Sequence, residues 1–146
     1  MEIIKINSNH PLANKIDKCD WNAAKFLAKL LKNNQLTKVL GANSLVFVLM
    51  DNDNLVSFLT LSDQDCIIDP TKKCWIGFVY TDVKYRGNRY SELLINVAIN
   101  VAKINNHNII YLATNHIGLY EKYGFEYLES KIDVYGELSR IYFKKI

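Results

Sequence analysis

The sequence predicts a mixed α/β domain. Apolar residues fall at helical spacing for three turns from Tyr90, and two β-rich runs are joined by four consecutive Asp and Asn residues. A further β-rich segment stands on each side of that helix, which makes a β-α-β unit whose crossover should be right-handed.

Taken in order, Asp20 is placed to cap a helix whose apolar side is Trp21, Ala24, Leu27, Ala28 and Leu31, ending near Asn33-Asn34. A shorter helix over Leu12 to Lys18 precedes it. Leu45 to Met50 and Leu55 to Leu61 form a hairpin around Asp51-Asn52-Asp53-Asn54, which is turn chemistry. Cys74 to Thr81 is aromatic and β-branched, a strand in which Gly77 marks an expected bulge. The long helix carries Tyr90, Leu93, Leu94, Val97, Ala98, Val101 and Ala102 on one face. Asn105 to Asn108 ends it. Ile109 to Thr114 is a strand, and Ile117 to Tyr123 a short helix closed by Gly124. Phe125 to Tyr135 and Arg140 to Lys144 complete the chain as two strands around Gly136-Glu137.

With 146 residues, 49% of them apolar, and with two prolines and no low-complexity linker, a single domain over 1–146 with one core is expected. The net charge of +3 is too mild to point to nucleic acid or an anionic membrane. Cys19, Cys66 and Cys74 are odd in number and lack metal-ligand spacing, so neither a disulfide framework nor a metal site is expected. Reduced thiols, and no apolar leader in Met1 to Asn7, lead us to expect a cytoplasmic protein. The longest apolar run, Leu45 to Met50, falls far short of the roughly 20 residues that span a bilayer.

Two segments carry chemistry. Lys84-Tyr85-Arg86-Gly87-Asn88-Arg89-Tyr90-Ser91 lies where a strand gives way to the strongest helix, and there unpaired N–H groups and the helix dipole favour an anion. Gly87 lets the chain turn, and Lys84, Arg86 and Arg89 bring positive charge suited to a pyrophosphate. The spacing is neither that of a Walker loop nor that of a dinucleotide fingerprint. The segment would equally suit an ordinary helix start with solvated basic residues. The second segment is Leu119-Tyr120-Glu121-Lys122-Tyr123-Gly124-Phe125, where Tyr120 and Tyr123 share a face. A phenol there can act as a general acid, or both rings can be core packing.

Together the two segments resemble the GNAT (GCN5-related N-acetyltransferase) superfamily. Tyr85 to Leu94 reads Y-R-G-N-R-Y-S-E-L-L, similar to the family's Y-R-G-x-G-x-G-x-x-L-L, and Tyr120 to Phe125 is similar to its Y-E-K-x-G-F. The order of strands and helices resembles the family's from roughly Trp21 onward. The resemblance implies a central twisted mixed sheet flanked by helices and splayed between its two middle strands. It implies acetyl-CoA as co-substrate, with the pantetheine arm along the backbone at Val79 and Thr81. The pyrophosphate would lie on the amides of Arg86, Gly87, Asn88, Arg89, Tyr90 and Ser91. Tyr120 would protonate the departing thiolate.

The match has departures. Arg89 stands where the family prefers Gly and Ser91 where it prefers Gly or Ala, and Ala113 stands where it often has Asn. Asn115, two residues later, is then an N-cap of the short helix or a cofactor contact. The strand Cys74 to Thr81 offers no carboxylate as base. Five aspartates lie between Asp51 and Asp69 with no Lys or Arg between them, and of these Asp63 and Asp65, at the end of a strand, are the candidates to attract or deprotonate a cationic amine. His116 is nearer a helix start than a base.

The expected activity is transfer of acetyl from acetyl-CoA to a primary amine of a small molecule, with no covalent intermediate on the protein and no metal. Nucleic acid and membrane are not expected partners, and a homodimer would be unsurprising at this size. A coenzyme A-binding sensor without catalysis is the alternative; a nucleic-acid binder is poorer, since no RRM, KH or helix-turn-helix pattern is present.

Overall fold

The computed structural model describes residues 1–146. Seven strands form one sheet: β1 (Glu2–Ile6), β2 (Leu45–Asp51), β3 (Asn54–Ser62), β4 (Trp75–Thr81), β5 (Ile109–Ala113), β6 (Glu126–Ile132) and β7 (Leu138–Lys145). Their order across the sheet is β1-β2-β3-β4-β5-β7-β6. Every neighbouring pair is antiparallel except β4 and β5, which are parallel and are joined by the long helix. Four helices accompany the sheet, α1 (Leu12–Asp17), α2 (Asn22–Lys32), α3 (Leu36–Leu40) and α4 (Tyr90–Ile104). None is long and apolar enough to cross a membrane.

The central strands are mostly apolar because both faces of the sheet are covered. Along β2, Val46, Val48 and Met50 pack into a core shared with α1, α2 and α3, while Phe47 and Leu49 pack into the core under α4. Helix α2 buries Ala24, Leu27, Ala28 and Leu31 in the first of these cores, the spacing of one helical stripe. The buried stripe of α4 is Leu94, Ile95, Ala98, Ile99 and Ala102, rotated from the expected face, so that Leu93 is exposed and Val97 and Val101 flank the core. Ile95 and Ile99 also carry an apolar side, and packing on the sheet selected them over Leu93.

The gap that defines the site lies between β4 and β5. Only Trp75↔Tyr111 and Ile76↔Leu112 pair, and beyond Ile76 the two strands part. On its other edge β4 remains paired with β3 out to Thr81, through a bulge that sets Thr60 opposite Gly77 and Phe58 opposite Tyr80. The bulge was expected at Gly77, but the left-handed residue is Phe78, with φ of 50°. Gly77 has a different reason to lack a side chain: a Cβ there would collide with the Asp65 carboxylate.

Other expectations need correction. Glu2–Ile6 is a strand, the edge partner of β2, and α3 is a helical turn; neither was anticipated. The short helix expected over Ile117 to Tyr123 is a 3₁₀ turn over Tyr120–Tyr123, because Gly118 takes a φ of 100° that breaks helical continuity. Gly124 closes that turn in the left-handed region, as anticipated. Asp20 does not cap α2, whose N-cap is Trp21 with no side-chain hydrogen bond.

Candidate active site

A cleft of about 700 Å³ opens where β4 and β5 part, and it runs between the two faces of the sheet. On the α4 side it is bounded by the turn entering α4 and by Tyr120 and Tyr123, which pack with the α4 core. On the opposite side it is bounded by Trp21, Phe78 and Tyr80, which pack against the core of α1, α2 and α3.

The turn entering α4 is built to leave its amides free. Asp82 accepts from the Lys84 amide at 3.0 Å and starts a 3₁₀ turn over Val83–Tyr85. Arg86 Nε then donates to the Thr81 carbonyl at 2.9 Å, and Asn88 Nδ2 to the Tyr85 carbonyl at 2.9 Å, so the loop is fixed by side chains rather than by its own N–H groups. Gly87 (φ 85°) and Arg89 (φ 59°) are both left-handed. From Arg86 to Glu92 no backbone N–H donates to a protein acceptor; the first amide to do so is that of Leu93, to Arg89 O at 3.2 Å. Seven successive amides at the positive end of a four-turn helix form an anion site.

Basic side chains add to that field, although not all are free. Arg89 is paired bidentately with Glu92, at 2.8 Å for both contacts, and its guanidinium lies 5.5 Å from the Tyr123 ring centre. A direct phosphate contact by Arg89 would have to compete with Glu92. Arg86 and Lys122 also line the cleft.

Tyr120 is 5% exposed, with its ring edge-on to Tyr123 and Phe125 at 6.1 and 6.3 Å. The residue lines the cleft, and no hydrogen bond within the protein engages its hydroxyl. Burial pushes the phenol up to about 12, so it stays protonated at neutral pH. The 3₁₀ turn that carries it is held by Lys144 Nζ, which donates to Tyr123 O at 2.8 Å, and by the Ser91 and Tyr123 hydroxyls, 3.2 Å apart.

Asp65 lies on the far side of the gap, in the loop after β3, with its carboxylate against the bare Cα of Gly77. The residue is half-buried and lines the cleft. Burial raises it to about 6, against the opposing pull of hydrogen bonds from the Cys66 amide and thiol. A carboxylate half-ionised near pH 6 is matched to accepting a proton at neutral pH.

The profile of the acetyltransferase (GNAT) family matches residues 9–125 of this chain. The chain belongs to the GNAT family. It is accordingly an acyltransferase. Solved structures share the fold: an aminoglycoside 6'-N-acetyltransferase complexed with coenzyme A is 14% identical with a TM-score of 0.71, covering 99% of this chain and 97% of that one. An acetyltransferase from Streptococcus agalactiae 2603 is 23% identical with a TM-score of 0.69, over 99% and 98%. An acetyltransferase from Bacillus anthracis str. Ames in complex with acetyl coenzyme A is 23% identical with a TM-score of 0.59, over 71% of this chain and 63% of that one, so this chain spans under two thirds of its length. At these identities the likeness is one of fold. No curated protein sequence matches the chain.

The GNAT motif residues converge as follows. Val79, Thr81 and Tyr120 line the cleft, as do Arg86, Gly87, Arg89, Tyr90 and Ser91 of the turn, and Asp65 joins them from outside the motifs. Asn88 does not; its side chain buttresses the turn from behind. Asn115 neither caps a helix nor lines the cleft. It accepts from the Arg140 amide at 3.3 Å, tying its loop to β7, while Thr114 Oγ1 takes the His116 amide.

Asp63 is also turned away: Asn43 donates to it from its amide at 3.0 Å and from its side chain, beside Gly41. Nor does the rest of the acidic stretch converge. Asp69 is paired with Lys72 and Lys131, both at 2.6 Å, Asp51 accepts from Tyr85 at 3.4 Å, and Asp53 remains in the hairpin turn. His116 lines the cleft. Asp20, Trp21, Phe78 and Tyr80 line it too, and sequence reasoning missed all four as site residues. The aromatic content of β4 was the available signal.

Proposed function

We propose that residues 1–146 form a single acetyltransferase domain that moves acetyl from acetyl-CoA to the primary amine of a small molecule. The observation that carries this is the relation of three features across one gap: free amides on the α4 side, a protonated phenol beside them, and a half-buried carboxylate on the other side.

The amides of Arg86 to Glu92 hold the pyrophosphate of the substrate, and Val79 and Thr81 guide its pantetheine arm into the gap left by β5. The amine enters from the side of α1, α2 and α3. Asp65 takes one proton from the ammonium, directly or through water, and the freed nitrogen attacks the thioester carbonyl carbon. As the C–S bond breaks, nitrogen gives its second proton to water and sulfur gains one. Tyr120 donates to the sulfur and is reprotonated from solvent, so the products are amide, thiol and one proton released through Asp65.

Because the phenol sits at about 12 and an ordinary thiol near 8.5, full transfer to a finished thiolate is uphill by on the order of 5 kcal/mol. Tyr120 therefore acts by donating a hydrogen bond to sulfur as charge develops, with transfer completed as the thiol leaves. Most of the acceleration comes from holding amine and thioester in one gap.

The test is thiol release from acetyl-CoA across an amine panel, together with calorimetry of coenzyme A binding. Binding with turnover supports the enzyme. Binding with no turnover of any amine supports a non-catalytic sensor, and loss of neither activity nor affinity in Tyr120→Phe would remove that residue from the mechanism.

A further inference from the structure

Resting on the transferase reading above, we infer that the acceptor is a small amine with one positive charge on an aromatic or flat apolar body. The amine side of the cleft carries two carboxylates, Asp65 in its depth and the exposed Asp20 at its mouth. The remaining aspartates of the acidic stretch are turned elsewhere or neutralised, as Asp63 is by Asn43 and Asp69 by two lysines. The same cleft holds Arg86, Arg89 and Lys122, and the Arg86 guanidinium lies 6.0 Å from the Tyr80 ring centre. A polycation would find only Asp65 and the exposed Asp20 on this side to offset its charges.

What the amine side offers in place of charge is aromatic surface. Tyr80 stacks on Trp21 at 5.9 Å and 15° and on Phe58 at 5.2 Å and 22°. Phe78 stacks on Phe26 at 6.3 Å, and the bulge that gives Phe78 its left-handed φ sets it on the same face as Tyr80. Trp21, Phe78 and Tyr80 are each partly exposed and line the cleft. Gly77 leaves the floor between these rings and Asp65 without a side chain. A flat body lying among the rings would present its ammonium to Asp65, and ring faces attract both the body and the charge.

The experiment measures kcat/KM on the full chain with acetyl-CoA and 2-phenylethylamine, spermidine or kanamycin. We expect 2-phenylethylamine to exceed the other two at least tenfold. Tyr80→Leu should raise its KM roughly tenfold, and Tyr80→Phe should restore it, with circular dichroism and coenzyme A calorimetry establishing that each variant folds and binds. Equal or better turnover of spermidine or kanamycin, or no change of KM in a folded Tyr80→Leu, overturns the inference while leaving the transferase intact. Failure to bind coenzyme A overturns the transferase reading instead. If coenzyme A binds but no amine is turned over, quenching of Trp21 fluorescence by 2-phenylethylamine decides: saturation supports the aromatic site, and none at millimolar concentration refutes it.

Discussion

The Asp65 carboxylate occupies the space that a side chain on Gly77 would fill. The strand that borders the cleft is thereby cut away at the one point where a carboxylate from another loop must reach in. Gly77→Ala should displace Asp65 and reduce kcat about tenfold or more. Coenzyme A affinity should change little, because the diphosphate site is built by Arg86 to Glu92. Steady-state kinetics and calorimetry on the variant check both.

The pH profile should carry the mark of Asp65. Its carboxyl is raised to about 6, so log kcat/KM should rise with pH and level off above about 6, provided the acceptor's own ionisation is corrected for. In Asp65→Asn that limb should vanish with a fall of roughly 10²-fold in rate.

The same shift has a stability consequence of opposite sense. Between about pH 4 and 6 the folded state holds a proton on Asp65 that the unfolded chain has released, so this group's contribution falls as pH rises through that window. The difference amounts to no more than about 3 kcal/mol. Asp65→Asn removes the cost of burying the charge and should be more stable than the native chain at pH 7. Urea unfolding at pH 4 and pH 7 measures it.

Asp69 works the other way. Lys131, Lys72 and Thr71 hold its carboxyl well below the usual carboxylate range, and the cluster ties the loop before β4 to β6. Its stabilisation is present above about pH 4 and lost as pH falls below that. Asp69→Asn should lower Tm by a few degrees at pH 7, and the gap between variant and native chain should narrow at pH 3.

Much of this was legible from residue order. The hairpin around Asp51 to Asn54, the strand from Trp75 and the helix from Tyr90 followed from pattern alone, because each buries apolar surface at its own period. Glu2–Ile6 was missed because it is an edge strand, mostly exposed, and four of its five residues are not buried. Phe78 was missed because a left-handed phenylalanine is set by the bulge against β3 and not by its own preference.

In the site, the phosphate turn and Tyr120 were visible because their residues are adjacent in the chain. Asp65 could be named but not told from Asp63. Only the fold shows that Asn43 engages one while Gly77 makes room for the other. The aromatic wall joins Trp21 to Tyr80 across 59 positions of sequence, and no local pattern predicts that meeting.

The decisive measurement is an amide NMR titration of the ¹⁵N-labelled chain with coenzyme A. The expected result is that the largest shifts fall on the N–H groups of Gly87 to Glu92, followed by those of Val79 and Thr81. Shifts centred elsewhere, for example on the polar hollow between Lys15, Asp53 and Lys84, with the α4 entrance unmoved, would contradict it.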